Sequence, residues 1–131
     1  TDTEAGSAAL RALAAAREAK ELRVVDDQRG APTSAEAIAH AVVSVLGKGN
    51  PASGLYHMSA AGETTWHGFA REILKGAGLE RPVAAITSEA YGAKARRPRN
   101  SLLDNARLER TFGVSLPDWR AGLAAVLPAI H

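Results

Sequence analysis

The chain contains no cysteine. It therefore has no disulfide framework and no thiolate metal site, and a reducing, cytoplasmic setting is the expectation. No apolar run approaches the ~20 residues that a membrane-spanning helix needs, so no membrane partner is expected. The Ala-rich opening over residues 5–20 is broken by Arg11, Arg17 and Glu18 and reads as neither a signal peptide nor an anchor. His40, His57, His67 and His131 show no metal-ligand spacing.

What is present fits one globular domain. The 131 residues can bury a modest core. Near-average hydrophobic content and 23% charged residues set the chain apart from disordered ones. The net charge is only +2, but it is unevenly spread. Lys94, Arg96, Arg97, Arg99, Arg107 and Arg110 face only Asp104 and Glu109 within their span. Such a patch suits phosphate groups or is simply a solvated face. The span has no interleaved aromatics and no recognised nucleic-acid-binding fold, so no nucleic-acid partner is expected.

The pattern of elements is α/β with more helix than strand. Helix formers predict a helix over 7–21, and a short β-branched run predicts a strand over 22–25. Thr33-Ser34-Ala35-Glu36 fits a capping box with Thr33 as N-cap. The helix after it places Ala35, Ile38, Ala39, Val42, Val43 and Leu46 on one stripe, expected to be buried. A strand is predicted over 54–58, which would make His57 a buried, hydrogen-bonded histidine. Another helix from Thr64 or Thr65 buries Trp66, Phe69, Ala70, Ile73, Leu74 and Ala77. A strand over 83–86 follows, then an extended approach through Pro98. A short helix capped by Asp104 or Asn105 ends at Gly113, and a last helix starts near Pro117. Asp26 and Asp27 are adjacent on a strand and point to opposite faces, so they read as turn caps rather than an acid/base pair.

Several segments carry a family resemblance, in register. They are Asp27-Gln28-Arg29-Gly30-Ala31-Pro32-Thr33, Gly54-Leu55-Tyr56-His57, Thr65-Trp66-His67-Gly68-Phe69-Ala70 and Arg97-Pro98-Arg99-Asn100-Ser101-Leu102-Leu103-Asp104. With Phe112-Gly113, Leu116-Pro117 and Trp119, they resemble the later part of the dTDP-4-dehydrorhamnose reductases, members of the extended short-chain dehydrogenase/reductase class. The resemblance implies that residues 1–59 are the last helices and strands of a Rossmann-type NAD(P)-binding domain. It implies that residues 60–131 are the small α/β domain that binds the sugar nucleotide. The family's reaction reduces dTDP-4-dehydro-L-rhamnose to dTDP-L-rhamnose with NADPH or NADH.

The parts that such chemistry needs are missing from this chain. No Gly-rich turn follows a strand to receive a pyrophosphate. No Tyr-x-x-x-Lys pair exists, since Tyr56 has Ala60 four residues on and Tyr91 meets Lys94 at the wrong spacing. The chain alone is therefore expected to be inactive, with the N-terminal Rossmann half of a reductase as its expected partner. A non-catalytic sugar-nucleotide-binding or regulatory module is the alternative reading.

The resemblance places substrate binding on Arg97, with Arg99, Asn100 and Ser101 beside it. A guanidinium fork can bond two phosphate oxygens at once. Gln28 could touch sugar or cofactor, or stitch the turn at 30–32. Trp66 could stack on a ligand or belong to the core. The resemblance also implies a magnesium site at a dimer interface, with Glu36 as one ligand. Ala129 and His131 stand where a second glutamate is expected, and the capping box accounts for Glu36 without an ion. Strands that lose their sheet neighbours leave an exposed edge and an apolar face, so the isolated chain is expected to pair into a homo-oligomer, rearrange or behave as an unstable fragment.

Overall fold

Side-chain caps and apolar spacing set the helices in place. The computed structural model describes residues 4–18, 21–49 and 52–130, with the backbone alone at 4–8, 129 and 130. Helix α1 runs over Glu4–Glu18 and buries Ala9, Leu13 and Ala16 on one face. The helix predicted over 7–21 is thus found three residues earlier at its start, and residues 19–20 lie outside the described residues. Strand β1, Leu22–Val25, follows where predicted and pairs in parallel with β4, Val83–Ile86. Leu22 lies opposite Val83 and Val25 opposite Ile86. A second, antiparallel pair joins β2, Arg29–Gly30, to β3, Thr64–Thr65.

Helix α3, Trp66–Gly76, is the centre of the packing. Thr65 caps it, its hydroxyl accepting from the Gly68 N–H at 3.1 Å. Phe69, Ala70, Ile73 and Leu74 recur at helical spacing and are all buried. Phe69, Ile73 and Leu74 join Leu13, Ala16 and Leu22 on one side and Trp119, Leu123 and Leu127 of α6, Trp119–Ile130, on the other. This core joins residues from both sides of position 59. Gly62 enables the approach of α6: it has φ 80°, and a Cβ there would strike the Asp118 carboxylate.

A smaller cluster joins α2, Ala35–Leu46, to α5, Ala106–Phe112. It differs from the sequence reading in two ways. The N-cap of α2 is Ser34, not Thr33: the Ser34 hydroxyl accepts from the Ala37 N–H at 3.1 Å. Thr33 instead donates to the Ala31 carbonyl and accepts from the Ala60 N–H, which ties two segments together. With Ser34 as cap, Glu36 is not at the capping-box position and pairs with His40 at 3.6 Å.

The stripe expected to be buried is exposed. Val43 and Leu46 are 69% and 65% accessible, and Ile38 and Val42 are also open. The helix buries its other face instead, with Ala41 flanked by Ala37 and Val45 against Leu108, Phe112, Val114 and Leu116. Small residues permit that close approach, and among the described residues the bulkier side stays open.

Residues 54–58 form no ladder among the described residues. The Leu55 carbonyl accepts from Arg107 Nη1 at 2.9 Å, and the same guanidinium lies 4.7 Å over the Tyr56 ring. Tyr56 and Met58 pack on the smaller cluster, while His57 is exposed rather than buried. Helix α4, Ser88–Tyr91, was not predicted. Thr87 caps it through the Ala90 N–H, and Gly92 closes it in the left-handed region at φ 69°. Helix α5 ends at Gly113 as predicted. Its start is held by Asp104, whose carboxylate accepts from the Ala106 N–H, while the Asn105 side chain turns to Ser59.

Candidate functional site

The site grows from the end of β1, where the chain leaves the sheet and the two aspartates diverge. Asp26 Oδ1 accepts from the Thr65 hydroxyl at 2.6 Å and stands 3.7 Å from His67 Nδ1. The His67 Nε2–H donates to the Val83 carbonyl at 2.8 Å, which fixes the ring between sheet and helix. Asp27 faces the other way. Its Oδ1 accepts from Ser88 Oγ at 2.5 Å, and its Oδ2 accepts from the Ser88 N–H at 3.0 Å and from Arg99 Nη1 at 3.1 Å. The Ser88 hydrogen bonds, joined by the Arg99 charge, hold the Asp27 carboxyl below its ordinary range, against a smaller opposing push from desolvation.

Gln28 belongs to the same network: its Nε2 donates to Ser88 Oγ at 3.1 Å. It does not stitch the turn at 30–32. Arg99 is committed twice, since Nη2 also reaches Glu89 Oε1 at 2.8 Å. The backbone of 99–101 lies along residue 29. The Arg29 N–H donates to the Arg99 carbonyl, and the Ser101 N–H donates to the Arg29 carbonyl at 2.9 Å. Ser101 Oγ reaches the same carbonyl at 3.1 Å, and Asn100 caps the Leu102 N–H. Arg29 itself turns its guanidinium to Glu63 at 2.5 Å.

The structure thus brings Gln28, Arg99, Asn100 and Ser101 together around the end of β1. Arg97 sits on the same segment but is exposed, with no hydrogen bond or ion pair among the described residues. Asp104, seven residues further on, caps α5 and does not pair with Arg97. Trp66 is half-buried, 6.2 Å edge-on from Phe69, and packs against the main core. Glu36 lies elsewhere, on α2 with His40. Among the described residues, no three His, Asp or Glu side chains gather to hold a metal. The expected second ligand region, at 129 and 131, lies outside the described side chains.

Two open depressions lie apart from this network. One, of about 610 Å³, is lined by Arg71, Lys75, Leu79 and Arg81. The other, of about 460 Å³, lies between α2 and α6 and includes Glu36 and His40. Neither contains Arg97, Arg99 or Gln28, so the basic segment stands on an open face. A dinucleotide site does not fit these residues either. The glycines with positive φ are at 49, 54, 62, 78, 92 and 113, and none lies between a strand end and a following helix of a βαβ turn.

Comparison with known proteins decides the family. The model of the RmlD substrate binding domain matches residues 4–131. The chain belongs to that family. A dTDP-4-dehydrorhamnose reductase of Burkholderia thailandensis is 42% identical over an alignment of 123 residues that covers 82% of this chain and 41% of the relative. The crystal structure of a dTDP-4-dehydrorhamnose reductase from Clostridium acetobutylicum superimposes with a TM-score of 0.86 at 31% identity, over 93% of this chain and 43% of that one. The Bacillus anthracis reductase, solved in complex with NADP, gives 0.85 at 26% identity, over 92% and 42%. This RmlD-type chain therefore spans about two fifths of the length of the relatives it matches. Among its described residues, no helix is long and apolar enough to cross a membrane.

Sequence reasoning missed the centre of the network. Asp27 is the hub of the network rather than a turn cap alone, and Ser88 and Glu89 of α4 are its unexpected partners. The bracket of Thr87 and Gly92 around four residues was the available signal.

Proposed function

We propose that this chain is the sugar-nucleotide-binding portion of a dTDP-4-dehydrorhamnose reductase, working in the cytoplasm. The complete enzyme would reduce dTDP-4-dehydro-L-rhamnose to dTDP-L-rhamnose with NADPH. Residues 1–59 would close the Rossmann-type part and residues 60–131 would form the substrate part, the two packed as one unit. The observation that carries this reading is the contrast between Arg99 and Arg97. Arg99 is neutralised by two carboxylates, while Arg97 keeps its fork free two residues before a backbone pinned at Arg99 and Ser101. A free guanidinium in fixed register is what a diphosphate requires.

Arg97 would bind the diphosphate, with Asn100, Ser101 and Gln28 shaping the wall beside it and Trp66 supporting from the core. The open setting of this segment fits a pocket whose other wall comes from the preceding part of a reductase. The exposed Ile38, Val42, Val43 and Leu46 would seat that same part, because an apolar face of this kind is normally covered. A second copy of the chain is the competing occupant.

Hydride chemistry is supplied by the nicotinamide cofactor when bound to the complete enzyme. This chain's own residues bind and orient the substrate. Calorimetry with thymidine diphosphate tests the reading. Micromolar binding that Arg97→Ala weakens at least ten-fold is expected, and unaltered binding by that variant overturns it. Mixed with NADPH and dTDP-4-dehydro-L-rhamnose, the chain alone should leave NADPH absorbance unchanged.

A further inference from the structure

We propose that Asp27 is a positioning residue for nucleotide-diphosphate binding, holding the arginine segment in register without touching the ligand. The inference rests on the reading of Arg97 as the diphosphate contact. One carboxylate at the end of β1 grips both ends of the loop that carries the free cations. At the near end it takes the hydroxyl and the N–H of Ser88, at the start of α4. At the far end it takes Arg99, just past Pro98.

Between those anchors lie Lys94, Arg96 and Arg97, none paired among the described residues. The proton positions are fixed by the partners. Gln28 donates to Ser88 Oγ, so the Ser88 proton is free to go to Asp27. Glu89, on the same turn of α4, takes the other nitrogen of Arg99, so the guanidinium is bridged between two carboxylates. Beyond it, the backbone is bound to residue 29 on both sides of Asn100.

Pro98 fixes its own φ, which leaves little slack between the anchored Arg99 and the free Arg97. Tethering of this kind lowers the ordering cost of binding, since a loop already held in place loses less freedom when the ligand arrives. The same contacts lower the Asp27 carboxyl below its ordinary range.

The role makes a directional claim. Releasing Arg99 adds a cation to the patch, and a purely electrostatic account expects tighter binding. Positioning expects weaker binding, because Arg97 loses its register. The experiment is a double-mutant cycle on the full chain, with thymidine diphosphate as ligand and calorimetry as readout.

Asp27→Asn is expected to weaken binding about ten-fold in the unmutated chain and to have little effect in the Arg97→Ala background. Amide exchange should quicken at Ser101 while Ile73 and Leu74 keep their protection. Ser88→Ala, which removes the hydroxyl that donates to Asp27 and accepts from Gln28 while keeping the Ser88 N–H contact, carries the same test if Asp27→Asn fails to fold. It should give a smaller loss in the same direction, again absent in the Arg97→Ala background. Tighter binding, no change, or an equal loss in both backgrounds overturns the inference. A chain that binds thymidine diphosphate but ignores Arg97→Ala overturns the reading of Arg97 instead.

Discussion

Ser88 Oγ donates a 2.5 Å hydrogen bond to Asp27 Oδ1, joining residues 61 positions apart in sequence. The contact fastens the end of β1 to the helix that precedes the arginine segment. It also makes Asp27 a reporter of acid stability. The carboxyl is held below its ordinary value of about 3.8 by the Ser88 hydroxyl, then the Ser88 N–H and the Arg99 charge. A folded value below the unfolded one gives stabilisation that is complete above the unfolded value and lost as pH falls through the folded one. Urea midpoints should therefore decline below about pH 4 in the unmutated chain. Asp27→Asn should lower the midpoint at pH 7 and flatten that decline. An unchanged slope in the variant would count against the contact.

Thr65 has two duties, as cap of α3 and as donor to Asp26. Thr65→Ala should cost about 1 kcal/mol of unfolding free energy, the usual loss for a helix cap. Thr65→Ser should recover most of it, because the hydroxyl does both jobs. Chemical denaturation of the two variants checks this, and equal losses would contradict it.

The core and the α2 face should respond in opposite ways. Ile73 is 1% accessible at the centre of α3, and Ile73→Ala should destabilise by about 2–5 kcal/mol. Val43 is exposed, and Val43→Glu should change stability by less than about 0.5 kcal/mol. The same change should abolish any pairing of the chain through that face. Sedimentation velocity of both variants separates the outcomes. Loss of fold in Val43→Glu would mean that the stripe is already buried within the chain.

How much could be read in advance follows from the physics of each element. The stripe of α3 was legible because one face of that helix packs on its own chain, and periodicity reports that directly. The stripe of α2 was equally legible as a pattern, yet its burial was not, because a hydrophobic face does not say which chain covers it. Residues 54–58 have strand composition, but a strand needs a neighbour, and here Arg107 takes the Leu55 carbonyl instead. Within the site, Arg97 to Ser101 stood out as a basic and turn-forming run. Their tie to Asp27 was invisible, because hydrogen bonds across 61 or 72 positions leave no local spacing. Alternation did place Asp26 and Asp27 on opposite faces, and each binds a different element.

The most direct measurement is a map of amide chemical-shift changes as dTDP-L-rhamnose is titrated into the labelled chain. Saturable changes centred on Gln28 and on residues 96–101, with α1 and the Arg71–Arg81 depression undisturbed, are the predicted result. Changes confined to that depression, or none at millimolar ligand, would contradict the assignment of this chain as the sugar-nucleotide-binding portion.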